Sequence, residues 1–114
     1  MIPVTVYDLC KAENFAPVVC PAAEREITGV YIGDLLSWVM GKAQSGDGWI
    51  TIMSNINTLA VASLTDVACI ILAEGVTLEQ EIIDAAIQKE INVVTTTLSA
   101  YETALFMSKE LKDE

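Results

Sequence analysis

The stretch that decides the fold is Val67-Ala68-Cys69-Ile70-Ile71-Leu72-Ala73-Glu74-Gly75. Its continuous apolar part, residues 67–72, is the length of a strand and is stopped by a glutamate and a glycine. A strand without polar positions suits burial on both faces, as in a parallel sheet covered by helices. This stretch therefore predicts the centre of a two-sided α/β sheet.

Strand and helix signals alternate on either side of this centre. Four further strands are predicted over residues 16–20, 27–32, 49–53 and 92–95. The predicted helices span residues 6–13, 58–64 and 78–90, with one more opened by Gly33-Asp34 and another after Ser99. Strands separated by short helices favour parallel pairing. We expect an α/β three-layer sandwich: a mostly parallel sheet of four to five strands with helices on both faces, as a single domain over residues 1–114.

Several helices carry a start signal. Capping boxes are predicted at Thr5/Asp8, Thr77/Gln80 and Ser99/Glu102, and Asn57 is the predicted cap of the third helix. Apolar spacing then assigns the buried faces. The predicted inward residues are Leu35, Leu36, Val39 and Met40 in the second helix, Leu78, Ile82, Ile83, Ala86 and Ile87 in the fourth, and Tyr101, Leu105 and either Met107 or Phe106 in the last.

Composition and charge indicate which classes of binding partner the protein can have. The chain has 114 residues, 53% of them hydrophobic, with six Lys and Arg against sixteen Asp and Glu, for a net charge of −10. Such a charge repels phosphate backbones, so we expect no nucleic-acid partner. No apolar run reaches the ~18 residues of a membrane span, and the first residues resemble no signal peptide. We expect a cytoplasmic protein without a membrane partner.

The sequence offers no catalytic constellation. It contains no histidine, and its three cysteines, Cys10, Cys20 and Cys69, form no Cys-x-x-Cys pair. We read them as buried free thiols and expect no metal site or cofactor. Gly41-Lys42 lacks the first glycine of a phosphate-binding P-loop, and alanine follows where that motif needs serine or threonine. Arg25, the only arginine, is either an anion contact or an ordinary surface residue.

Four polar loops follow the predicted parallel strands and should meet at their carboxyl ends, where open α/β sheets bind ligands. Hydroxyls, amides and helix N-termini gathered there suit a small anion. Helix capping alone also explains several of these residues. The candidate ligand-binding residues are Thr28, Gly29, Gly33, Asp34, Ser54, Asn55, Asn57, Thr97 and Ser99.

Four segments resemble the DRTGG domain family. They begin with Glu26-Ile27-Thr28-Gly29-Val30-Tyr31-Ile32-Gly33-Asp34-Leu35-Leu36-Ser37. The second is Trp49-Ile50-Thr51-Ile52-Met53-Ser54-Asn55-Ile56-Asn57, followed by Ala60-Val61-Ala62. The others are the central stretch and Leu98-Ser99-Ala100-Tyr101-Glu102. The resemblance covers about residues 24–107. Of the motif Asp-Arg-Thr-Gly-Gly that names the family, only Thr28 and Gly29 match.

The resemblance implies a regulatory domain without catalytic activity, similar to the N-terminal domain of HPr kinase/phosphorylase. Stand-alone members of the family occur in anaerobic bacteria near genes for sensor kinases and iron hydrogenases. Related domains accompany pyrophosphatases that respond to adenine nucleotides, and they contribute to dimer contacts. We therefore expect a homodimer that senses a small anionic ligand such as a nucleotide or a phosphorylated metabolite. The alternative is an interaction module that docks on a redox enzyme or signalling kinase and binds no small molecule.

Overall fold

The computed structural model describes residues 4–111. In chain order, its strands are β1 (Val4–Thr5), β2 (Phe15–Val19), β3 (Glu26–Ile27), β4 (Gly29–Ile32), β5 (Asp47–Thr51), β6 (Cys69–Leu72) and β7 (Val93–Thr96). The helices are α1 (Val6–Lys11), α2 (Leu36–Lys42), α3 (Ile56–Thr65), α4 (Gln80–Lys89) and α5 (Ala100–Glu110). Across the described residues, no helix combines the length and apolar character needed to cross a membrane.

The main sheet has five strands in the order β2-β7-β6-β5-β4. Strands β4 to β7 pair in parallel, and β2 is added antiparallel at the β7 edge. The predicted mostly parallel sheet of four to five strands is therefore confirmed. A small antiparallel pair, β1 with β3, was not predicted. Its two-residue strands are too short to leave a periodic pattern in the sequence.

Helices cover both faces of the sheet, which confirms the three-layer sandwich. One core joins α2, α3 and α4 to strand residues that include Trp49, Ile70 and Leu72. The other joins α1 and α5 to the alternate strand residues, such as Ile50 and Ile71. All four residues of β6 are at most 1% exposed. The central strand is thus buried on both sides, as its unbroken apolar sequence predicts.

Two of the predicted capping boxes are confirmed. The Thr5 side chain accepts from Asp8 N, and the Ser99 side chain accepts from Glu102 N, with the reciprocal bonds also present.

The predicted starts of three other helices are wrong. Asn55 caps α3 by accepting from the N–H groups of Asn57 and Thr58, so Asn57 lies inside the helix. Helix α4 begins after Glu79, which excludes the Thr77/Gln80 box. Asp34 does not open α2, whose N-cap is Leu35 without a side-chain bond.

The buried helix faces differ from the predicted ones in α2, α4 and α5. In the second helix Val39 is buried as predicted, but Leu35 and Met40 are half exposed or more. In α4, Ile87 was also predicted to face inward and is likewise more than half exposed. Tyr101 and Leu105 also point to solvent, at 72% and 49% exposure. The predicted inward position of Met107 or Phe106 is confirmed, since both pack in the core. The other residues of α5 that face the sheet are Ala100, Thr103 and Ala104. Small side chains allow the helix to approach the sheet closely, while the tyrosine hydroxyl remains hydrated.

The predicted strand 27–32 is interrupted at Thr28, which separates β3 from β4. Gly29 begins β4 directly against β5, where a Cβ atom added to it would lie 2.6 Å from Oδ1 of Asp47. The Asp47 side chain is buried, and its Oδ2 accepts a hydrogen bond from Gln44 N at 2.8 Å. Glycine at position 29 therefore permits a close approach of the Asp47 carboxylate.

A Gly29→Val substitution should lower the free energy of unfolding by about 1–3 kcal/mol, because the new side chain displaces the buried Asp47 carboxylate. Gly41→Ala is the matched control, since nothing lies within 4 Å of a Cβ added in that helix. The control should be neutral or stabilising by up to about 1 kcal/mol. Urea denaturation measures both values, and an unchanged midpoint for Gly29→Val would contradict the packing described.

Candidate functional site

The loops that follow β4, β5, β6 and β7 meet at one edge of the sheet, which we call the carboxyl edge. Parallel strands all end at the same edge, and these four are neighbours in the sheet. The opposite edge, where these strands begin, we call the amino edge. Helices α2, α3, α4 and α5 follow these loops, so their N-termini lie at the carboxyl edge and their C-termini at the amino edge.

Hydrogen bonds join neighbouring loops of the carboxyl edge in pairs. Oδ1 of Asp34 accepts from the Thr51 hydroxyl at 2.7 Å and from Ile52 N at 3.0 Å. On the other side, Glu74 N donates to Leu98 O and Gly75 N to Thr96 O. These bonds hold the edge as a preformed surface.

The larger cleft at this edge lies between the loop that precedes α3 and the start of α4. It has a volume of about 700 Å³ and is lined by Ser54, Asn55, Ile56, Thr77, Glu79, Glu81 and Ile82. No side chain caps α4. Ile82 N and Ile83 N donate to Glu79 O, so the first-turn N–H groups that can meet a ligand are those of Gln80 and Glu81. The wall therefore offers hydroxyl, amide and peptide N–H donors beside two carboxylates.

A smaller, more apolar cleft of about 350 Å³ lies across the ends of β4, β5 and β6. Its lining includes Ile32, Ile52, Val76 and Ala100, with Asp34 and Glu74 as its carboxylates. One oxygen of Asp34 is already engaged by Thr51 and Ile52. Flat apolar groups suit this cleft better than charged ones.

The two edges differ in their cations. Among residues 4–111, no Lys or Arg lines either cleft of the carboxyl edge, whereas four carboxylates do. Lys42, Lys89 and Lys109 instead occupy the last turns of α2, α4 and α5, at the amino edge. Helix dipoles favour cations near helix C-termini. Carboxylates nevertheless lie at the amino edge as well, where Asp66 and Glu90 are the C-caps of α3 and α4.

Arg25 serves the structure rather than a ligand. Its guanidinium makes a bidentate ion pair with Asp66, both N···O distances being 3.1 Å, and also donates to Asp66 O at 2.8 Å. Hydrogen bonds from Ser45 and Arg25 hold the pKa of Asp66 below its ordinary value. The arginine thus joins the segment before β3 to the C-cap of α3, a role that neither reading of the sequence anticipated.

The structure brings seven of the nine predicted ligand-binding residues to the carboxyl edge: Gly33, Asp34, Ser54, Asn55, Asn57, Thr97 and Ser99. Ser54 and Asn55 line the larger cleft and Asp34 the smaller one. The Asn55 and Ser99 side chains also cap α3 and α5, so capping alone gives each of them a structural role. Gly33 contributes its carbonyl oxygen to the indole N–H of Trp49 at 2.8 Å.

The placement of Thr28 and Gly29 in this site is wrong. Gly29 is the first residue of β4, so both residues lie at the amino edge. Thr28 N donates to Gly46 O at 2.9 Å, which places the pair against the start of β5. They lie at the amino edge because β4 begins at Gly29, whereas the candidate site is formed by residues that follow the ends of the strands.

Sequence reasoning missed five residues that line the larger cleft: Ile56, Thr77, Glu79, Glu81 and Ile82. The capping box predicted at Thr77 placed Glu79 and Glu81 inside a helix instead of at its start. Acidic residues at the beginning of a helix are a dipole signal that could have located them. Their carboxylates change the electrostatic character of the larger cleft from anion-binding to mixed.

The thiols are free, as predicted, but only Cys69 is buried; Cys10 and Cys20 are half-buried. Between residues 4 and 111, no group of three or more His, Cys, Asp or Glu side chains is arranged to hold a metal ion.

Comparison with known proteins shows a likeness of fold. A crystal structure of the CBS and DRTGG domains from the regulatory region of Clostridium perfringens pyrophosphatase, complexed with its activator diadenosine tetraphosphate, superposes with a TM-score of 0.68. The match has 19% sequence identity and covers 88% of this chain but only 43% of that one. No family model and no curated protein matches the chain in sequence. The fold is therefore like that of a CBS/DRTGG regulatory region.

Proposed function

We propose that this protein is a non-catalytic regulatory domain that senses a nucleotide at the carboxyl edge of its sheet. The observation that carries the proposal is the larger cleft of about 700 Å³. The N-terminus of α4, which no side chain caps, forms part of its wall. A cleft of this size suits a drug-sized or nucleotide-sized ligand. We also propose that the chain is a member of the DRTGG family and that it is located in the cytoplasm.

Two features of the cleft support a nucleotide. Its polar wall, with Ser54, Thr77 and the open N–H groups of α4, offers hydrogen-bond donors to phosphate oxygens. The adjoining smaller cleft has apolar walls that suit a base. The likeness of fold to a regulatory region that binds diadenosine tetraphosphate adds support from outside the chain.

The charge of the edge determines the form in which a nucleotide binds. Glu79 and Glu81 repel a free polyphosphate, and no cation of the described residues lines the cleft. A Mg²⁺ ion removes this conflict, because it is commonly held by one or two carboxylates together with substrate phosphates. We therefore propose that the ligand is a magnesium–nucleotide complex rather than a bare anion.

Thermal unfolding with diadenosine tetraphosphate or ATP, with and without Mg²⁺, tests this function. A ligand at 100 times its dissociation constant stabilises the folded state by ~2.7 kcal/mol, which corresponds to a rise in the melting midpoint of about 10 °C. We expect this rise with Mg²⁺ present and a much smaller one without it. Mg²⁺ alone should have little effect.

The matched variants are Glu81→Gln in the cleft and Glu110→Gln at the far end of α5, both at exposed positions. Glu81→Gln should reduce the magnesium-dependent part of the shift, whereas Glu110→Gln should leave it unchanged. Equal shifts with and without Mg²⁺ would contradict the bridging role of the ion. No shift with either nucleotide would contradict nucleotide sensing itself.

The second candidate function is interaction with another protein, favoured by the outer face of α2. Leu35, Trp38 and Met40 are 62%, 60% and 50% exposed, and Lys42 places its ammonium 5.4 Å from the Trp38 ring centroid. Exposed tryptophan and methionine on one surface are typical of protein interfaces. The occupant that we propose is a second copy of the chain, with a redox enzyme or signalling kinase as the alternative partner.

Light scattering across micromolar concentrations tests the homodimer. A stable symmetric contact buries roughly 800 Å² on each partner. We expect twice the chain mass of 12.3 kDa for the wild-type protein. Trp38→Glu should give the monomer mass, and the control Tyr101→Glu, on an exposed residue of α5, should remain dimeric. A monomer at all concentrations contradicts the dimer, and a dimer that survives Trp38→Glu excludes this face.

A further inference from the structure

Two thiols that the proposed function does not use lie side by side. The Sγ atoms of Cys10, in α1, and Cys20, directly after β2, are 3.6 Å apart. Both residues are half-buried, and neither lines a cleft of the carboxyl edge. Nine residues lie between them in sequence, so the contact depends on the packing of two different elements.

Both thiols are held by ordered parts of the structure. Cys20 follows Val19, which pairs with Val93 in β7, and its thiol donates to the Val93 carbonyl oxygen at 3.8 Å. Helix α1 is anchored beside it by the buried side chains of Val6 and Leu9. A disulfide has an S–S distance of about 2.05 Å, so the two sulfur atoms need to approach by little more than 1.5 Å.

We propose that Cys10 and Cys20 are a redox modification site, in which a reversible intramolecular disulfide ties α1 to the edge strand β2. The site does not depend on the nucleotide function: Cys20 follows the end of the antiparallel strand β2 that pairs with the start of β7, at the amino edge.

The reaction that we propose is thiol–disulfide exchange with a low-molecular-weight disulfide such as oxidised glutathione. The Cys10 thiol loses its proton, and its thiolate attacks one sulfur of glutathione disulfide, forming a mixed disulfide and releasing one glutathione thiolate. The Cys20 thiol then loses its proton and attacks the Cys10 sulfur, releasing the second glutathione. Two protein thiols are oxidised, one disulfide is reduced, and the two protons end on the two glutathione thiols.

The surroundings of the thiols make the first step of this exchange slow. Burial raises the pKa of Cys10, and burial together with the neighbouring thiol raises the pKa of Cys20 to about 12. Thiolate, the attacking form, is therefore scarce at neutral pH. Proximity compensates in the second step, because the Cys20 sulfur already lies beside its target.

Cys69 provides an internal reference. It is fully buried in β6, and burial raises its pKa, so it should react with neither oxidant nor label in the folded protein. Oxidation should therefore consume two of the three thiols of the chain and leave one.

The test is incubation of the reduced full chain with oxidised glutathione, followed by thiol counting in denaturant and intact-mass analysis. We expect a single-chain mass lower by two hydrogen atoms, one remaining thiol and a peptide pair that joins Cys10 to Cys20. A dithiol reductant should restore all the thiols. The oxidised protein should melt roughly 5 °C or more above the reduced one, because the cross-link restricts the unfolded chain.

Two variants complete the test. Cys10→Ser should form no internal disulfide and show no oxidation-dependent rise in melting midpoint, and Cys10→Ala serves if the serine destabilises α1. Cys69→Ala should still form the Cys10–Cys20 bond. The proposal is overturned by glutathione adducts without an internal bond, by a bond to Cys69, by disulfide-linked dimers, or by thiols that do not react.

Discussion

Burial of β6 on both faces is the constraint on which the rest of this structure depends. Residues Cys69–Leu72 are at most 1% exposed, so an apolar layer must cover each side of the sheet. Helices supply both layers, and strands joined through helices pair in parallel. Parallel pairing in turn brings the ends of β4, β5, β6 and β7 to one edge. The candidate site is a geometric consequence of how the core is buried.

The same geometry places lysines and helix N-termini at opposite edges of the sheet. Helices that follow parallel strands present their N-termini at the carboxyl edge and their C-termini at the amino edge. Lys42, Lys89 and Lys109 lie at the amino edge. Carboxylates lie at both edges, with Glu79 and Glu81 at the carboxyl edge and Asp66 and Glu90 at the amino edge. A ligand at the carboxyl edge therefore meets open N–H groups and negative side chains together. This combination favours a metal-bridged phosphate over a free anion.

Sequence patterns predicted the architecture well because they reflect burial on a large scale. The unbroken apolar run at residues 67–72 and the alternation of strands with helices were enough to predict the sandwich and its carboxyl edge. The residues that cap each helix and begin each strand were harder to predict. Asn55 and Asn57 are both good N-caps, and only the path of the chain after β5 selects Asn55. Thr28 and Gly29 matched a motif, but their side of the sheet depends on where β4 begins. The contact between Cys10 and Cys20 depends on tertiary packing and corresponds to no pattern in the sequence.

The central claim is that ligand binding occurs at the carboxyl edge. Two-dimensional ¹H–¹⁵N NMR of the labelled protein, titrated with magnesium–diadenosine tetraphosphate, tests it most directly. The account predicts that amide shifts concentrate in residues 52–58, 74–82 and 97–99. Arg25, Lys89 and Asn92, which line a small cleft of about 140 Å³ at the amino edge, should be unaffected. Shifts centred on those three residues, or an unchanged spectrum, would contradict the account.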